Sequence, residues 1–402
     1  MRFAAGIDNL LADSSRFDEL RRARVGLVAN PASVDGQQQH SVDALMDAGV
    51  NLVAAFGPQH GMRGEKQDNM IETEDYFDPE RGIPVISLYG EHRRPTPAML
   101  EDLDIVLFDL QDIGCRIYTY ITTLRYFLEA AGAAGVAIWV LDRPNPAGRP
   151  VDGLRLVAGE ESFVGCDLLP TRHGLTTGEL ARWFVATGKL DVDLRVINMS
   201  GYTPSDAPGF GWPLLQRAWI NPSPNASSLN MARCFAGTVL LEGTTLSEGR
   251  GTTTPLEVIG APTLPFVDLL SDLRSKAPAW CEGVYIRPCY FQPTFHKHTG
   301  TLCTGLQFHT DYAGYRHEQF QPYRLIAGLL KVIRQHIPGY DLWRYHAYEY
   351  ELDRTPIDVI NGGPGLRTWV DDPDAGFDEL AQLLDRQLAD WVSEREPFLV
   401  YK

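Results

Sequence analysis

Polar and charged side chains collect at four points in the first half of the sequence, each directly after an apolar run. The clusters occupy residues 57–65, 89–94, 109–120 and 141–148, and they hold carboxylates, histidines, arginines and tyrosines. Glycine lets the backbone approach a ligand closely, and arginine binds anions through two parallel hydrogen bonds. These residue types are suited to binding a polar ligand and to acid–base chemistry on it.

Hydrolysis by paired carboxylic acids is the simplest chemistry that these clusters offer. Glycoside cleavage needs one protonated acid to release the leaving oxygen and one ionised partner to act as nucleophile or base. The spatial distance between carboxyl groups decides which pair works, so the spacing along the chain leaves several candidates open. Asp109 and Asp142, at the ends of apolar runs, are equally suited to anchor neighbouring loops. The candidates are Glu65, Glu91, Asp109, Asp112, Asp142, Glu179 and Glu248.

Motifs for nucleotide cofactors and for serine hydrolases are absent from the sequence. The first apolar run continues as Asn-Pro-Ala-Ser-Val at 30–34 and not as G-x-G-x-x-G, and the chain has no G-x-x-x-x-G-K-[ST] and no G-x-S-x-G. His296 and His298 are close in sequence, but two histidines on a predicted loop are a weak metal signal. We therefore expect no metal and no cofactor.

Five short runs rich in β-branched and apolar residues alternate with segments of helical periodicity in the first half of the chain. Continuous apolar strands between helices predict a parallel sheet covered on both faces, which is an α/β fold with a Rossmann-like, doubly wound sheet. Ligands bind at the carboxyl ends of the strands in such sheets, where the polar clusters lie. The predicted strands are 24–30, 51–57, 84–90, 104–110, 137–143 and a further strand at 194–198, and the predicted helices are 41–48, 97–103, 120–132 and 177–190.

The pattern changes after about residue 260. Residues 201–225 are rich in proline and glycine, which favours a surface loop or an active-site wall. Beyond them, helices at 265–277, 322–336 and 377–396 and strands at 283–290 and 301–310 predict a smaller C-terminal α+β auxiliary domain. We therefore divide the chain into a Rossmann-like catalytic domain, 1–260, and an auxiliary domain, 261–402.

The composition restricts the partners. The 402 residues include 36 Lys and Arg against 52 Asp and Glu, and the formal net charge of −16 disfavours binding to nucleic acid or to an anionic membrane. No apolar stretch is long enough to cross a bilayer, and the N-terminal residues do not form a secretory signal. The six scattered cysteines are typical of reduced, buried thiols. We expect a cytoplasmic protein with a small-molecule partner, and no feature of the sequence indicates an oligomeric state.

Six motifs together resemble those of the NamZ-type exo-β-N-acetylmuramidases, a glycoside hydrolase family formerly described as a domain of unknown function. They span residues 58–64, 108–120, 141–146, 173–179, 223–225 and 247–252, in order along nearly the whole chain. The resemblance implies a Rossmann-like domain joined to an auxiliary domain, with the active site in the cleft between them. It also implies release of a terminal N-acetylmuramic acid from the non-reducing end of peptidoglycan fragments, without a metal or nucleotide, in cell-wall turnover or recycling.

The resemblance suggests roles for individual residues. Asp112 and Glu248 are the carboxylates that we expect to share the chemistry, with His60 and Tyr118 assisting. Arg63, Arg116 and Arg143 could hold the lactyl carboxylate of muramic acid through a guanidinium fork. The expected substrate-binding residues are Gln59, Arg63, Glu91, Gln111, Arg116, Tyr120, Asp142, Arg143, Asn145, His173, Asn225 and Arg250.

One position departs from the family pattern. The family motif usually reads Pro-Glu-His-Gly, and this chain has Gln59 in place of the glutamate. A carboxamide does not exchange a proton near neutral pH as a carboxyl group does, so the acid–base role of that glutamate is vacant at position 59. Another carboxylate such as Glu65, Glu91 or Asp112 takes over, the substrate differs, or the site binds muramyl ligands without cleaving them. A further alternative is a hydrolase that acts on the amide or ester bonds of muramyl peptides.

Overall fold

The computed structural model describes residues 2–68 and 70–402. Its helices and strands alternate through the first half of the chain and are followed by a mostly helical second half. The strands are β1 (Val25–Ala29), β2 (Leu52–Gly57), β3 (Tyr76–Asp78), β4 (Ile83–Ser87), β5 (Ile105–Asp109), β6 (Ala137–Leu141), β7 (Asp152–Arg155), β8 (Pro170–Arg172), β9 (Leu194–Ile197), β10 (Val258–Ala261), β11 (Tyr285–Phe291) and β12 (Cys303–His309). The helices are α1 (Gly6–Leu11), α2 (Ser14–Arg22), α3 (Ser41–Asp47), α4 (Pro97–Leu100), α5 (Tyr120–Ala134), α6 (Thr177–Gly188), α7 (Leu229–Thr238), α8 (Phe266–Lys276), α9 (Pro322–His336), α10 (Pro356–Asn361), α11 (Gly365–Asp371) and α12 (Phe377–Arg395).

A seven-stranded sheet with the order β3-β4-β2-β1-β5-β6-β9 forms the centre of the N-terminal half. Its neighbouring strands pair in parallel, apart from the antiparallel edge pair β3–β4. The strands are buried because both faces carry apolar side chains: Val106 and Phe108 of β5 point into one core, and Leu107 points into the other. This topology confirms the predicted Rossmann-like, doubly wound sheet.

The C-terminal half shares one of these two cores. A three-stranded antiparallel sheet, β10-β12-β11, and the helices α8, α9 and α12 bury apolar residues such as Leu273, Leu329 and Leu384. These side chains belong to the same core cluster as Phe108 of β5 and Phe127 of α5. The smaller α+β part therefore shares one continuous apolar core with one side of the N-terminal half, and its helices α9 and α12 contact β7.

Most predicted elements are present with small shifts at their ends. Helix α4 is shorter than predicted and ends at Leu100, where a turn follows in which the Leu103 N–H donates to the Leu100 carbonyl. Strand β10 begins at Val258 and pairs with β12, close to the predicted domain boundary at 260/261. That division of the chain stays a proposal. The helices α1, α2, α7, α10 and α11 and the strands β3, β7, β8 and β10 were not predicted.

Within the described ranges, no helix combines the length and the apolar character that a membrane crossing requires. The six cysteines are free thiols, and four of them are buried. Burial raises the pKa of Cys115 and Cys166 to about 12, so these thiols stay protonated and are poor nucleophiles.

Candidate active site

A narrow cavity of about 50 Å³ lies between the carboxyl edge of the large sheet and the C-terminal half. Segments from both halves of the chain form its wall. A cavity of this size holds a few water molecules, whereas pockets for organic ligands usually measure several hundred Å³. A sugar ring can therefore bind only if the wall segments move apart. The wall consists of Gln59, His60, Ile117, Tyr118, Thr119, Tyr120, Val164, Ser223, Asn225, Met231, Phe235, Val239, Glu242, Arg250, Leu256, Tyr348 and Glu349.

The N-terminal half contributes side chains that directly follow two strands. Gln59 and His60 come after β2, and the loop after β5 brings Tyr118 and Tyr120 to the start of α5. His60 has a positive φ of 73°, which is unusual for a residue with a side chain and turns the chain sharply at the sheet edge. The parallel order of β2, β1 and β5 thus places residues that are about sixty positions apart on one wall.

A tight turn of the C-terminal half brings Glu349 to the cavity. Tyr348 and Glu351 exchange two backbone hydrogen bonds, and the two residues between them have positive φ angles, 47° at Glu349 and 71° at Tyr350. Turns of this kind favour asparagine and glycine at both central positions, because side chains are strained there. The turn therefore holds Glu349 in a conformation that its residue type does not favour.

Two side chains of the N-terminal half bind the Glu349 carboxyl group. Gln59 donates from Nε2 to Oε1 at 2.9 Å, and the Tyr89 hydroxyl donates to Oε2 at 2.8 Å. Gln59 is itself oriented by Thr119, whose hydroxyl donates to its Oε1 at 2.8 Å. Burial raises the pKa of Glu349 to about 8, although these two hydrogen bonds favour the ionised form. Glu349 is consequently a neutral acid through most of the physiological pH range.

A second buried carboxyl group on the wall, Glu242, has the opposite environment. Its side chain accepts hydrogen bonds from the Arg250 guanidinium and from the Tyr348 hydroxyl, the latter at 2.6 Å. The cavity is thus lined by one carboxyl group bound by neutral donors and another that is paired with a cation.

Glu248, which was predicted to be catalytic, lies behind Arg250 and outside the cavity wall. It pairs with Arg250 Nε at 3.0 Å and with the Lys297 ammonium at 2.7 Å. Burial alone would raise the pKa of Glu248, but the two cations outweigh it and hold that pKa well below its usual range. This position favours a structural role for Glu248, in which it fixes the orientation of Arg250.

Asp112, the other predicted catalytic carboxylate, is buried away from the wall. Its Oδ2 accepts from the backbone N–H of Gly114 at 2.6 Å and lies 3.9 Å from His173 Nε2. Burial raises the pKa of Asp112 to about 7 and lowers that of His173 to about 3, so His173 is a neutral ring. Both catalytic assignments stay predictions, and neither residue contacts the cavity.

His60, Tyr118, Tyr120 and Asn225 line the cavity, and their catalytic and binding roles stay predictions. His60 Nδ1 lies 2.8 Å from the carbonyl oxygen of Lys66, and burial lowers the pKa of His60 to about 4. Tyr118 donates to the Ser223 hydroxyl and Tyr120 donates to the Pro222 carbonyl, each at 2.8 Å. These bonds connect the start of α5 to the end of the proline-rich segment, which thus forms part of the wall.

Arg143 and Arg116, which were also predicted to bind the substrate, brace loops and do not line the cavity. Arg143 makes a two-pronged ion pair with Asp109, with both N–O distances at 2.7 Å, and Arg116 donates to the carbonyl oxygens of Ile360 and Asn361. Burial lowers the pKa of Arg116 to about 10. Their guanidinium groups are therefore turned to partners inside the protein and away from the cavity.

The side chains of Asp142, Asn145 and Gln111 also form hydrogen bonds to neighbouring segments of the protein. Asp142 accepts from Tyr401 and from the N-terminal turn of α6, and burial raises its pKa to about 6. Asn145 donates to the carbonyls of Gly148 and Leu175, and Gln111 donates to those of Asp112 and Pro144. Glu179, one of the early carboxylate candidates, forms the capping box of α6 with Thr176 and binds Arg149.

Arg63 and Glu91 lie at the surface. The Arg63 side chain is 56% exposed and stacks on the Tyr76 ring, with 4.5 Å between the guanidinium carbon and the ring centroid. The Glu91 side chain is 89% exposed. It lies at the rim of an open cleft of about 790 Å³ that is next to the cavity and is also lined by Arg93, Arg94, Tyr126, Glu349 and Tyr350.

Glu242 and Glu349 are the two carboxyl-bearing wall residues that the sequence analysis did not predict. Each comes from an irregular segment of the second half, a 3₁₀ turn at Val239–Gly243 and the turn at 348–351, outside the six motifs. His296 and His298 have positive φ angles and contact Arg344 and the Thr245 carbonyl. In residues 2–68 and 70–402, no group of three or more histidine, cysteine, aspartate or glutamate side chains is arranged to hold a metal ion.

Comparisons with known proteins cover the entire fold. The N-terminal family profile of the exo-β-N-acetylmuramidase NamZ matches residues 25–230, and the C-terminal profile matches residues 233–401. The chain is 36% identical to the peptidoglycan β-N-acetylmuramidase NamZ of Bacillus subtilis over 399 residues, which is 98% of this chain and 91% of that protein. Crystal structures of two DUF1343 family proteins from Bacteroides fragilis superpose with TM-scores of 0.85 and 0.74, at 27% and 25% identity, covering 100% of this chain and 99% of each of theirs.

Proposed function

Because this chain belongs to the NamZ exo-β-N-acetylmuramidase family, we propose that it is a glycosidase that releases N-acetylmuramic acid from the non-reducing end of peptidoglycan fragments. The disaccharide of N-acetylmuramic acid and N-acetylglucosamine is the smallest substrate of this kind. Water adds to the anomeric carbon of the muramic residue, and the sugar that follows leaves with a free hydroxyl group. The proposed place of the reaction is the cavity between the two halves of the chain.

The pair of buried carboxyl groups on the cavity wall carries this proposal. Glycoside hydrolysis requires one carboxyl group that is protonated and one that is ionised, and different surroundings are what separate their roles. Glu349 is bound by the neutral donors Gln59 and Tyr89, and Glu242 is paired with Arg250. Both belong to the same wall. A protein that only binds muramyl ligands has no need for two buried carboxyl groups in such different surroundings.

Arg250 is the proposed partner of the lactyl carboxylate of muramic acid. It is the cationic side chain on the described part of the wall. Its Nε and Nη2 atoms bind Glu248 and Glu242, and Nη1 hydrogen bonds to neither of these carboxylates. A guanidinium group fixed in this way offers its remaining N–H groups to a ligand anion without a further loss of side-chain freedom.

Incubation of the purified chain with this disaccharide tests the proposal. We expect mass spectrometry to detect free N-acetylmuramic acid and free N-acetylglucosamine in equal amounts. If a muramyl peptide instead yields free peptide with an intact saccharide, the amide- or ester-hydrolase alternative is correct. Binding without any product would support the alternative of a muramyl-ligand binding protein. Action on cell-wall fragments in the cytoplasm stays a prediction of the sequence.

A further inference from the structure

Glu349 has a position that no other described residue shares. It lines the narrow cavity, and it also lines the open cleft of about 790 Å³ on the other side of the turn at 348–351. Within the described ranges, the cavity and the cleft share no wall residue other than Glu349. A saccharide with one sugar in the cavity and the next in the cleft would have its connecting oxygen at this turn.

The cleft has the character of a saccharide-binding surface. Arg93 stacks on Tyr350 and Arg94 stacks on Tyr126, with 3.6 and 3.5 Å from the guanidinium carbon to the ring centroid. Flat stacked groups of this kind offer faces for the apolar side of a sugar, and the arginines retain N–H donors for its hydroxyl groups or for the carboxylates of an attached peptide. The larger and more open space is suited to the leaving part of the substrate.

We propose that Glu349 is the carboxylic acid that protonates the glycosidic oxygen, in place of the glutamate that the family motif usually has at position 59. This inference rests on the proposed function. Gln59 and Tyr89 are then positioning residues, which orient the Glu349 carboxyl group through one hydrogen bond to each of its oxygens. The carboxylic acid that position 59 lacks is thus supplied by Glu349, which accepts a hydrogen bond from Gln59.

The chemical step balances with water as the co-reactant. The proton of the Glu349 carboxyl group moves to the glycosidic oxygen as the bond from the anomeric carbon to that oxygen breaks, and the bonding electron pair stays with the leaving oxygen. The oxygen of a water molecule then forms a bond to the anomeric carbon. One proton of that water returns to Glu349, directly or through solvent, and restores the acid.

The surroundings of Glu349 are compatible with both of its protonation states. When the carboxyl group is ionised, Gln59 and Tyr89 both donate to it. When it is protonated, the Tyr89 hydroxyl can rotate and accept a hydrogen bond from the carboxyl O–H, since a phenol is both a donor and an acceptor. The strained backbone at Glu349 and Tyr350 supports a functional position, because strain of this kind is retained mainly where a site requires it.

The leaving group of the substrate distinguishes an acid from other catalytic groups. A 4-nitrophenyl group leaves without protonation, whereas the hydroxyl group of N-acetylglucosamine does not. We expect Glu349→Gln to lower kcat/KM for the disaccharide by roughly 100- to 10,000-fold, the usual contribution of general acid catalysis. For 4-nitrophenyl β-N-acetylmuraminide we expect a reduction of less than about 10-fold in kcat/KM, since the group that is removed is not needed there.

Controls separate this inference from the proposed function and from misfolding. Glu394→Gln, which removes a carboxylate from the surface pair with Arg155, should leave both kcat/KM values unchanged. Equal losses on the two substrates, or an undiminished cleavage of the disaccharide by Glu349→Gln, would overturn the inference. If the unmodified chain cleaves neither substrate, the proposed function itself fails.

A second measurement needs no variant and decides the question if Glu349→Gln does not fold. Because burial raises the pKa of Glu349 to about 8, kcat/KM of the unmodified chain for the disaccharide should fall as the pH rises through about 8. For the nitrophenyl substrate this alkaline decrease should be absent. An identical alkaline decrease for both substrates would contradict a role of Glu349 in protonating the leaving group.

Discussion

Gln59 and Glu349, which are 290 positions apart in the chain, are joined by a hydrogen bond of 2.9 Å on the cavity wall. The amide supplies an N–H donor at the point where a glutamate would supply a second carboxyl group. Two carboxyl groups at this distance cannot both ionise without strong repulsion. Gln59 therefore lets position 349 hold a carboxyl group without repulsion between two negative charges. A glutamate at either position favours an amide at the other.

The variant Gln59→Glu should lose stability as the pH rises. Burial and the adjacent Glu349 carboxyl group should raise the folded-state pKa of the new carboxyl group above its unfolded value of about 4.3, so this group contributes stability that is lost as the pH rises. We expect the free energy of unfolding to match that of the unmodified chain near pH 4. At pH 8 it should be lower by about 1–3 kcal/mol, since one pKa unit corresponds to about 1.4 kcal/mol. Urea unfolding at several pH values measures this difference.

The double variant Gln59→Glu/Glu349→Gln is the matched control, because it restores one amide and one carboxyl group in the same contact. Its stability should return most of the way to that of the unmodified chain at pH 8. Gln335→Glu, a change next to Lys276 at the surface, should have little effect at any pH. A loss at pH 8 that is as large in the double variant as in Gln59→Glu would show that the contact is not the cause.

The pH dependence of stability should also change in Glu349→Gln. A carboxyl group whose folded-state pKa is raised stabilises the protein fully below its unfolded-state pKa, and this contribution is lost as the pH rises through the folded-state pKa. For Glu349 the window lies between about 4.5 and about 8. The unfolding free energy of the variant should therefore rise relative to the unmodified chain by up to about 1.4 kcal/mol per pH unit in that window. A difference that stays constant from pH 4.5 to 8 would be inconsistent with a raised pKa.

Local patterns in the sequence predicted which residues follow the strands on the cavity wall. Gln59, His60 and Tyr118 were found because they come directly after apolar runs, and parallel strands bring such residues to one edge. Glu349 carries no comparable signal. It lies in a turn with two positive φ angles but without the glycine or asparagine that normally marks such a turn. Its partner, Gln59, is too distant in the chain for any spacing argument.

Buried charges explain the other differences between the expected and the observed positions. Arg116, Arg143 and Asp142 follow strands, as a ligand-binding residue would, but each is turned inwards to partners in neighbouring loops. A residue that binds a ligand and a residue that holds a neighbouring loop can have the same type and the same position after a strand. Only the partner of the side chain distinguishes the two roles, and that partner depends on the tertiary structure.

Glu248→Gln should reduce stability more than it changes the chemistry. The substitution leaves the buried Lys297 ammonium without its carboxylate, and breaking one partner of a buried pair typically costs about 3–5 kcal/mol. We expect a marked decrease in Tm at pH 7, with a smaller decrease near pH 3, where the stabilising effect of a carboxylate with a lowered pKa is already being lost. Calorimetry measures both values. A variant with an unchanged Tm and no turnover would instead support the predicted catalytic role.

Arg250→Lys should weaken the recognition of the lactyl group. Lysine keeps the positive charge beside Glu242 and Glu248 but lacks the planar fork of donors. A lost hydrogen bond to a charged group corresponds to about 1.5–3 kcal/mol, so the Kd for N-acetylmuramic acid should rise by roughly 10- to 100-fold. The Kd for N-acetylglucosamine, which has no lactyl group, should change little. Titration calorimetry with both sugars distinguishes this effect from a general loss of binding.

The small volume of the cavity also governs how fast inhibitors can act. A compound shaped like a muramic acid residue can bind only after the wall segments separate. Its association rate constant should therefore be lower than that for a preformed site. Its apparent affinity is reduced by the fraction of molecules that are open at any moment. Ligands that first occupy the adjacent open cleft and then extend past Glu349 would bypass much of this delay, which makes bivalent saccharide mimics the natural starting point for inhibitors.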